Sequence, residues 1–118
     1  MSSGTITIYH NPACETSRKV LATIEAWGHK PKIVHYLEVG WSRNQLQHLA
    51  HAMHLHPRDM LRKSDPMVED LGLLADGVSD DTILDAMVRH PQLVERPIVS
   101  SPLGTKICRQ AEVVQSLI

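Results

Sequence analysis

No phenylalanine occurs in the 118 residues, and aromatic residues of every kind make up only 3%. Leu, Ile, Val, Met and Ala must therefore fill the core, and at 42% the hydrophobic residues suffice for one compact domain. Basic runs are missing as well. With a formal net charge of -1, a partner held by phosphate neutralisation is excluded, so no nucleic acid is expected. No window approaches the ~20 apolar residues that a membrane helix requires, so no membrane is expected either. The first residues, MSSGTITIYH, lack the basic start and apolar stretch of a secretory signal. A cytoplasmic location is the expectation. Cysteine is scarce: Cys14 and Cys108 lie almost at opposite ends of the chain. A structural disulfide between them would be unusual in a cytosolic protein, so they read as one candidate nucleophile and one core thiol.

What is present divides into three parts. TITIY alternates apolar and polar residues and is rich in β-branched types, which predicts a strand. From Ser17 onward Val20, Leu21, Ile24 and Trp27 recur at helical spacing, and Gly28 stands where a C-terminal cap belongs. A second strand is predicted over Lys32 to Leu37. Strand, helix and strand at that spacing suit a parallel βαβ unit.

The middle, residues 42 to 90, reads as an all-helical insertion of three or four short helices. Ser42 and Gln45 form a capping box before the stripe Leu46, Leu49, Ala50 and Met53. Pro57 and Pro66 suit first helical turns, and Asp65 is an N-cap. Ser79 caps a helix whose stripe is Ile83, Leu84, Met87 and Val88, closed by Pro91. The end returns to sheet. PIVSS and TKICR flank Pro102-Leu103-Gly104, a hairpin signal, and QAEVVQSLI predicts a closing helix.

Cys14 sits where the first strand gives way to the first helix. The thiolate is the nucleophilic form, and a helix N-terminus offers unpaired N–H groups and partial positive charge that favour it and bind anions. His10 adds charge stabilisation if the Asn11-Pro12 turn folds it back, and Ser17 is one turn on, placed to donate to the sulfur. The competing reading is a small buried thiol filling a gap, as most free cysteines do. A loop-to-helix junction after Asn-Pro is poor core territory, but on residues alone both readings stand. Phosphatase-type chemistry is excluded, because the arginine its loop requires is replaced by Val20.

IYHNPACETSR, LRKS at Leu61 to Ser64, and ERPIVSSPLGTKICR at Glu95 to Arg109 together resemble the glutaredoxin-coupled, glutathione-dependent arsenate reductase family. The resemblance covers nearly the whole chain and implies a single α/β domain over residues 1–118. Its fold is thioredoxin-like, with βαβ and ββα units around a mixed four-stranded sheet and the helical insertion between them. It implies that Cys14 is the nucleophile, that His10 and Ser17 favour its thiolate, and that Arg62, Arg96 and Arg109 grip the oxyanion. Arginine suits that task, since its planar donor fork matches a tetrahedral oxyanion and keeps its charge. Further implications are arsenate as substrate, glutathione as co-substrate, glutaredoxin as partner, and no bound cofactor or metal. Only ~5–6% of X–Pro bonds are cis, yet Arg96-Pro97-Ile98 resembles the cis-proline element of thioredoxin-like folds, and cis is predicted.

Two departures matter. Glu15 follows the cysteine where arsenate reductases commonly have a small residue, and a carboxylate there would disfavour the thiolate and repel an incoming anion. It motivates an alternative, a paralogous reductase with little arsenate activity. Val39-Gly40-Trp41 replaces a more usual proline-bearing stretch, a change expected to alter only a loop. A further alternative is a same-fold regulator that binds RNA polymerase. Such relatives carry a two-cysteine redox switch, and Ser17 occupies the second position here. Of the histidines His48, His51, His54 and His56 the first three spread over a wide helical arc, no cysteine or paired carboxylate completes a metal set, and they read as a solvated face.

Overall fold

The structure, a computed structural model, describes residues 5–118. The chain forms two compact units: the residues up to Val39 together with Arg96–Ile118, and Gly40–Glu95.

The first unit is built on a mixed sheet. Strands β1 (Thr7–Tyr9), β2 (Lys32–Val34), β3 (Ile98–Ser101) and β4 (Gly104–Ile107) lie in the order β2-β1-β3-β4. β1 runs parallel to β2 and antiparallel to β3, and β3 pairs antiparallel with β4. The crossover from β1 to β2 is helix α1 (Glu15–Ala26), which gives the predicted βαβ unit. Ile8 lies opposite Val99 on one face, where both are fully buried against Val20 and Ile24 of α1. The i, i+4 spacing of Val20 and Ile24 puts them on one side of the helix. Cys108, Val114 and Leu117 complete this core.

Three local expectations change. Trp27 is not part of the buried stripe; it is the C-cap residue of α1 and 54% exposed. The helix has ended there, and Gly28 takes the positive φ of +89° that a side chain resists. β2 stops at Val34, and Tyr36–Val39 form a short helix, α2, that buries Tyr36. The closing segment Ala111–Leu117 winds as a 3-10 helix, with Val114 and Leu117 buried. The hairpin has the predicted turn, with Ser101 opposite Gly104.

The second unit is helical. Helix α3 (Arg43–Met53) opens on the predicted capping box: Gln45 N–H donates to Ser42 Oγ at 3.1 Å, and Ser42 N–H to Gln45 Oε1 at 3.4 Å. Pro57 begins a 3-10 turn and Pro66 begins α4 (Pro66–Asp70), which Asp65 caps by accepting the Met67 N–H at 2.9 Å. α5 (Asp80–Arg89) is capped by Ser79, and Arg43 of α3 pairs with Asp81 and Asp85. Leu46, Leu49, Ile83, Leu84 and Met87 are buried, whereas Val88 is 38% exposed at the margin of its stripe. The four histidines of the run are exposed, and no group of three metal-ligating side chains occurs among the described residues. No helix among them is long and apolar enough to cross a membrane.

Candidate active site

Cys14 is the N-cap of α1, in extended backbone (φ -95°, ψ 124°), and its side chain makes no capping hydrogen bond. The first-turn N–H groups are therefore not consumed by the cap residue, the condition under which a helix end receives an anion. Cys14 is partly exposed and both cysteines are unbridged.

The loop before it is held chiefly by Asn11. The Asn11 carbonyl accepts the Cys14 N–H at 3.0 Å, and its side-chain Oδ1 accepts the Ala13 N–H at 3.0 Å. Its own N–H donates to Ser17 Oγ at 3.0 Å. An Asn-Pro dipeptide is a turn signal because the asparagine side chain can replace a backbone acceptor in this way. That signal was present in the sequence, but it gave no hint that Asn11 makes three bonds.

Ser17 is fully buried and lies 2.7 Å from His10 Nδ1. His10 follows β1, donates its N–H to the Val34 carbonyl at 2.8 Å, and is 4% exposed. Burial first, then the charges of His35 and Arg18, hold His10 below its ordinary pKa of 6.5. The His35 ring meets it edge-on, with centroids 5.9 Å apart. Burial and those charges both disfavour the charged imidazolium. A cation there would have to be desolvated beside two other basic groups, which favours the uncharged ring hydrogen-bonded with Ser17.

Glu15 points to solvent and pairs with Lys19 at 3.4 Å, an exposed i, i+4 bridge. Both side chains are more than half exposed, so water screens the carboxylate.

Sheet register brings two of the three predicted arginines to the cysteine's end of the first unit. β1 runs toward His10 and the Cys14 loop; β3 begins, and β4 ends, at that same end of the sheet. Arg96 stands two residues before β3 and is half-buried, and its bond to Pro97 is cis, as predicted. Arg109 follows β4 and is exposed. Arg62 belongs to the second unit. Its segment is pinned by the Leu61–Val94 bridge and by Arg62 N–H donating to the Leu93 carbonyl at 2.7 Å. Its Nε is buried with no hydrogen-bond partner among the described residues. Buried donors are rarely left so.

Cys108 is fully buried, and burial pushes its thiol up to about 12, against a smaller opposing pull from Lys106. It is a core thiol, as its β-prone surroundings predicted.

The chain belongs to the ArsC family, whose model matches residues 9–117. It is 48% identical over 118 residues to an arsenate reductase of Synechocystis sp., covering all of this chain (100%) and 82% of that one. It is also 48% identical over 113 residues to an arsenate reductase of Escherichia coli, covering 96% of this chain and 80% of that one. Among solved structures, an arsenate reductase from Vibrio cholerae is similar with a TM-score of 0.94 at 35% identity, covering 99% of this chain and 100% of that one. The mixed four-stranded sheet with its helices is thus the thioredoxin-like fold of that family.

Proposed function

We propose that this chain is a cytoplasmic arsenate reductase in which Cys14 is the nucleophile and glutathione and glutaredoxin supply the electrons. The observation that carries the reading is the position of Cys14. It is a partly exposed thiol at the N-cap of α1, and its loop is fastened by Asn11, Ser17 and His10. The names of its relatives support arsenate as the oxyanion. The Glu15 carboxylate is exposed and pairs with Lys19, which weakens the objection it raises to an anionic substrate.

Arg62, Arg96 and Arg109 hold arsenate, and the unmet Arg62 Nε supports a binding role for that residue. The Cys14 thiolate attacks arsenic, and one protonated arsenate oxygen leaves as water. Glutathione then adds to arsenic, displacing a second oxygen as water. A glutaredoxin thiolate attacks the glutathione sulfur, and the sulfur–arsenic bond breaks with its electron pair passing to arsenic. A glutaredoxin–glutathione disulfide leaves, so two sulfurs are oxidised as arsenic(V) becomes arsenic(III). Water cleaves the remaining bond to Cys14, releasing arsenite and restoring the thiol. The second sulfur of the chemistry comes from outside, consistent with Ser17 standing where a two-cysteine motif would place its partner. His10 and Ser17 act by holding the loop, and the scheme uses no metal or bound cofactor.

The test is glutathione- and glutaredoxin-dependent arsenite formation by purified protein. Cys14→Ser should abolish it; turnover retained in that variant would overturn the reading.

A further inference from the structure

Arg18, in the first turn of α1, reaches back with its side chain to the loop that precedes Cys14. Its backbone N–H donates to the Cys14 carbonyl at 3.0 Å, and its guanidinium Nη1 donates to the Pro12 carbonyl at 2.8 Å. The side chain is otherwise exposed, and its charge is felt at the buried His10 ring. The neighbouring cation, Lys19, is paired with Glu15, whereas no carboxylate lies within ion-pair distance of Arg18 among the described residues. A permanent, uncompensated cation is thus fastened to the peptide that leads into the thiol.

We propose that Arg18 is a specificity-determining residue, its anchored guanidinium biasing Cys14 toward anionic reactants over neutral ones. The proposal rests on Cys14 being the nucleophile and arsenate its substrate. An exposed hydrogen bond could instead merely fasten the loop, and charge discrimination separates the two roles. Fastening affects all reactants alike; a cation favours anions, and less so in salt.

The experiment compares alkylation of the folded protein by iodoacetate, an anion, and iodoacetamide, which is neutral, at low ionic strength. Cys14→Ser serves as the blank, since Cys108 is buried. In Arg18→Ala the iodoacetate-to-iodoacetamide rate ratio should fall about three-fold, with the difference largely erased by ~1 M salt. Arg18→Gln, which keeps a donor for the Pro12 carbonyl and removes the charge, should do the same, so the test survives if either variant folds poorly. Arg18→Lys should keep the ratio. In turnover, Arg18→Ala should raise the KM for arsenate more than it lowers kcat. An unchanged ratio in Arg18→Ala and Arg18→Gln, or equal slowing with both reagents, would overturn the proposal, as would a fall in Arg18→Lys matching that in Arg18→Ala. Should the unaltered protein form no arsenite, the arsenate reading fails while the alkylation ratio still decides the role of Arg18.

Discussion

Cys108 donates its backbone N–H to the Pro97 carbonyl at 2.8 Å, one step beyond the last ladder pair of the hairpin, Ile98 with Ile107. Arg96 and Arg109 are sequence neighbours of its two partners, at the start of β3 and the end of β4. The hairpin register therefore puts the backbone of both arginines at one end of the sheet, where β1 delivers His10 and the cysteine loop.

Arg109 is exposed, so its removal should disturb folding little, within about 0.5 kcal/mol for a surface site. Arsenate binding should suffer more, since a charge-assisted hydrogen bond contributes about 1.5–3 kcal/mol, a ten-fold loss or more. Paired measurements of urea midpoint and arsenate affinity in Arg109→Ala check this. Unaltered affinity would remove Arg109 from the site.

Ser17→Ala should behave in the opposite way. The substitution leaves the Asn11 N–H and His10 Nδ1 without their shared partner in a buried setting. The expected cost is about 1–3 kcal/mol of unfolding free energy, with loss of turnover as the loop loosens. A variant as stable as the unaltered protein would show that the triad of Asn11, Ser17 and His10 does not hold the loop.

Acid should weaken the fold through His10. Its folded-state pKa lies below 6.5, so the unfolded chain binds the proton more readily and stability rises with pH. The contribution is complete above about 6.5 and is lost as pH falls from there through the lower folded value. Urea midpoints taken between about pH 5 and 8 should show this slope, and His10→Gln should flatten it. Equal slopes in the two proteins would assign the acid sensitivity elsewhere.

Cys108, held up at about 12 by burial, should resist thiol reagents at neutral pH in the folded protein. Mass spectrometry after brief iodoacetamide treatment should find the label on Cys14 alone, and on both residues in denaturant. Native labelling of Cys108 would contradict its place in the core.

Much of this was legible from short-range signals. Ser42, Asp65 and Ser79 cap helices because their side-chain oxygens stand beside unpaired N–H groups, a relation that needs no tertiary information. The order of elements followed from hydrophobic period, and the site residues came from the family resemblance. What was not legible depends on burial. KIVHYL has strand composition throughout, yet its second half turns helical, burying Tyr36. That the His10 ring is buried, with His35 and Arg18 close enough to act on it, is likewise a product of the fold. The bond from Arg18 to the Pro12 carbonyl also has no local signal and exists only in the folded loop.

The depth at which Cys108 lies has a bearing on survival under peroxide. A sulfenic acid formed at Cys14 is safe from irreversible over-oxidation only if another thiol condenses with it promptly. Cys108, sealed in the core with its S–H toward the Lys106 carbonyl at 3.7 Å, is no such rescuer. Recovery from oxidative damage must then depend on the surrounding thiol pool, and a cell depleted of that pool should lose this protein to sulfinic acid.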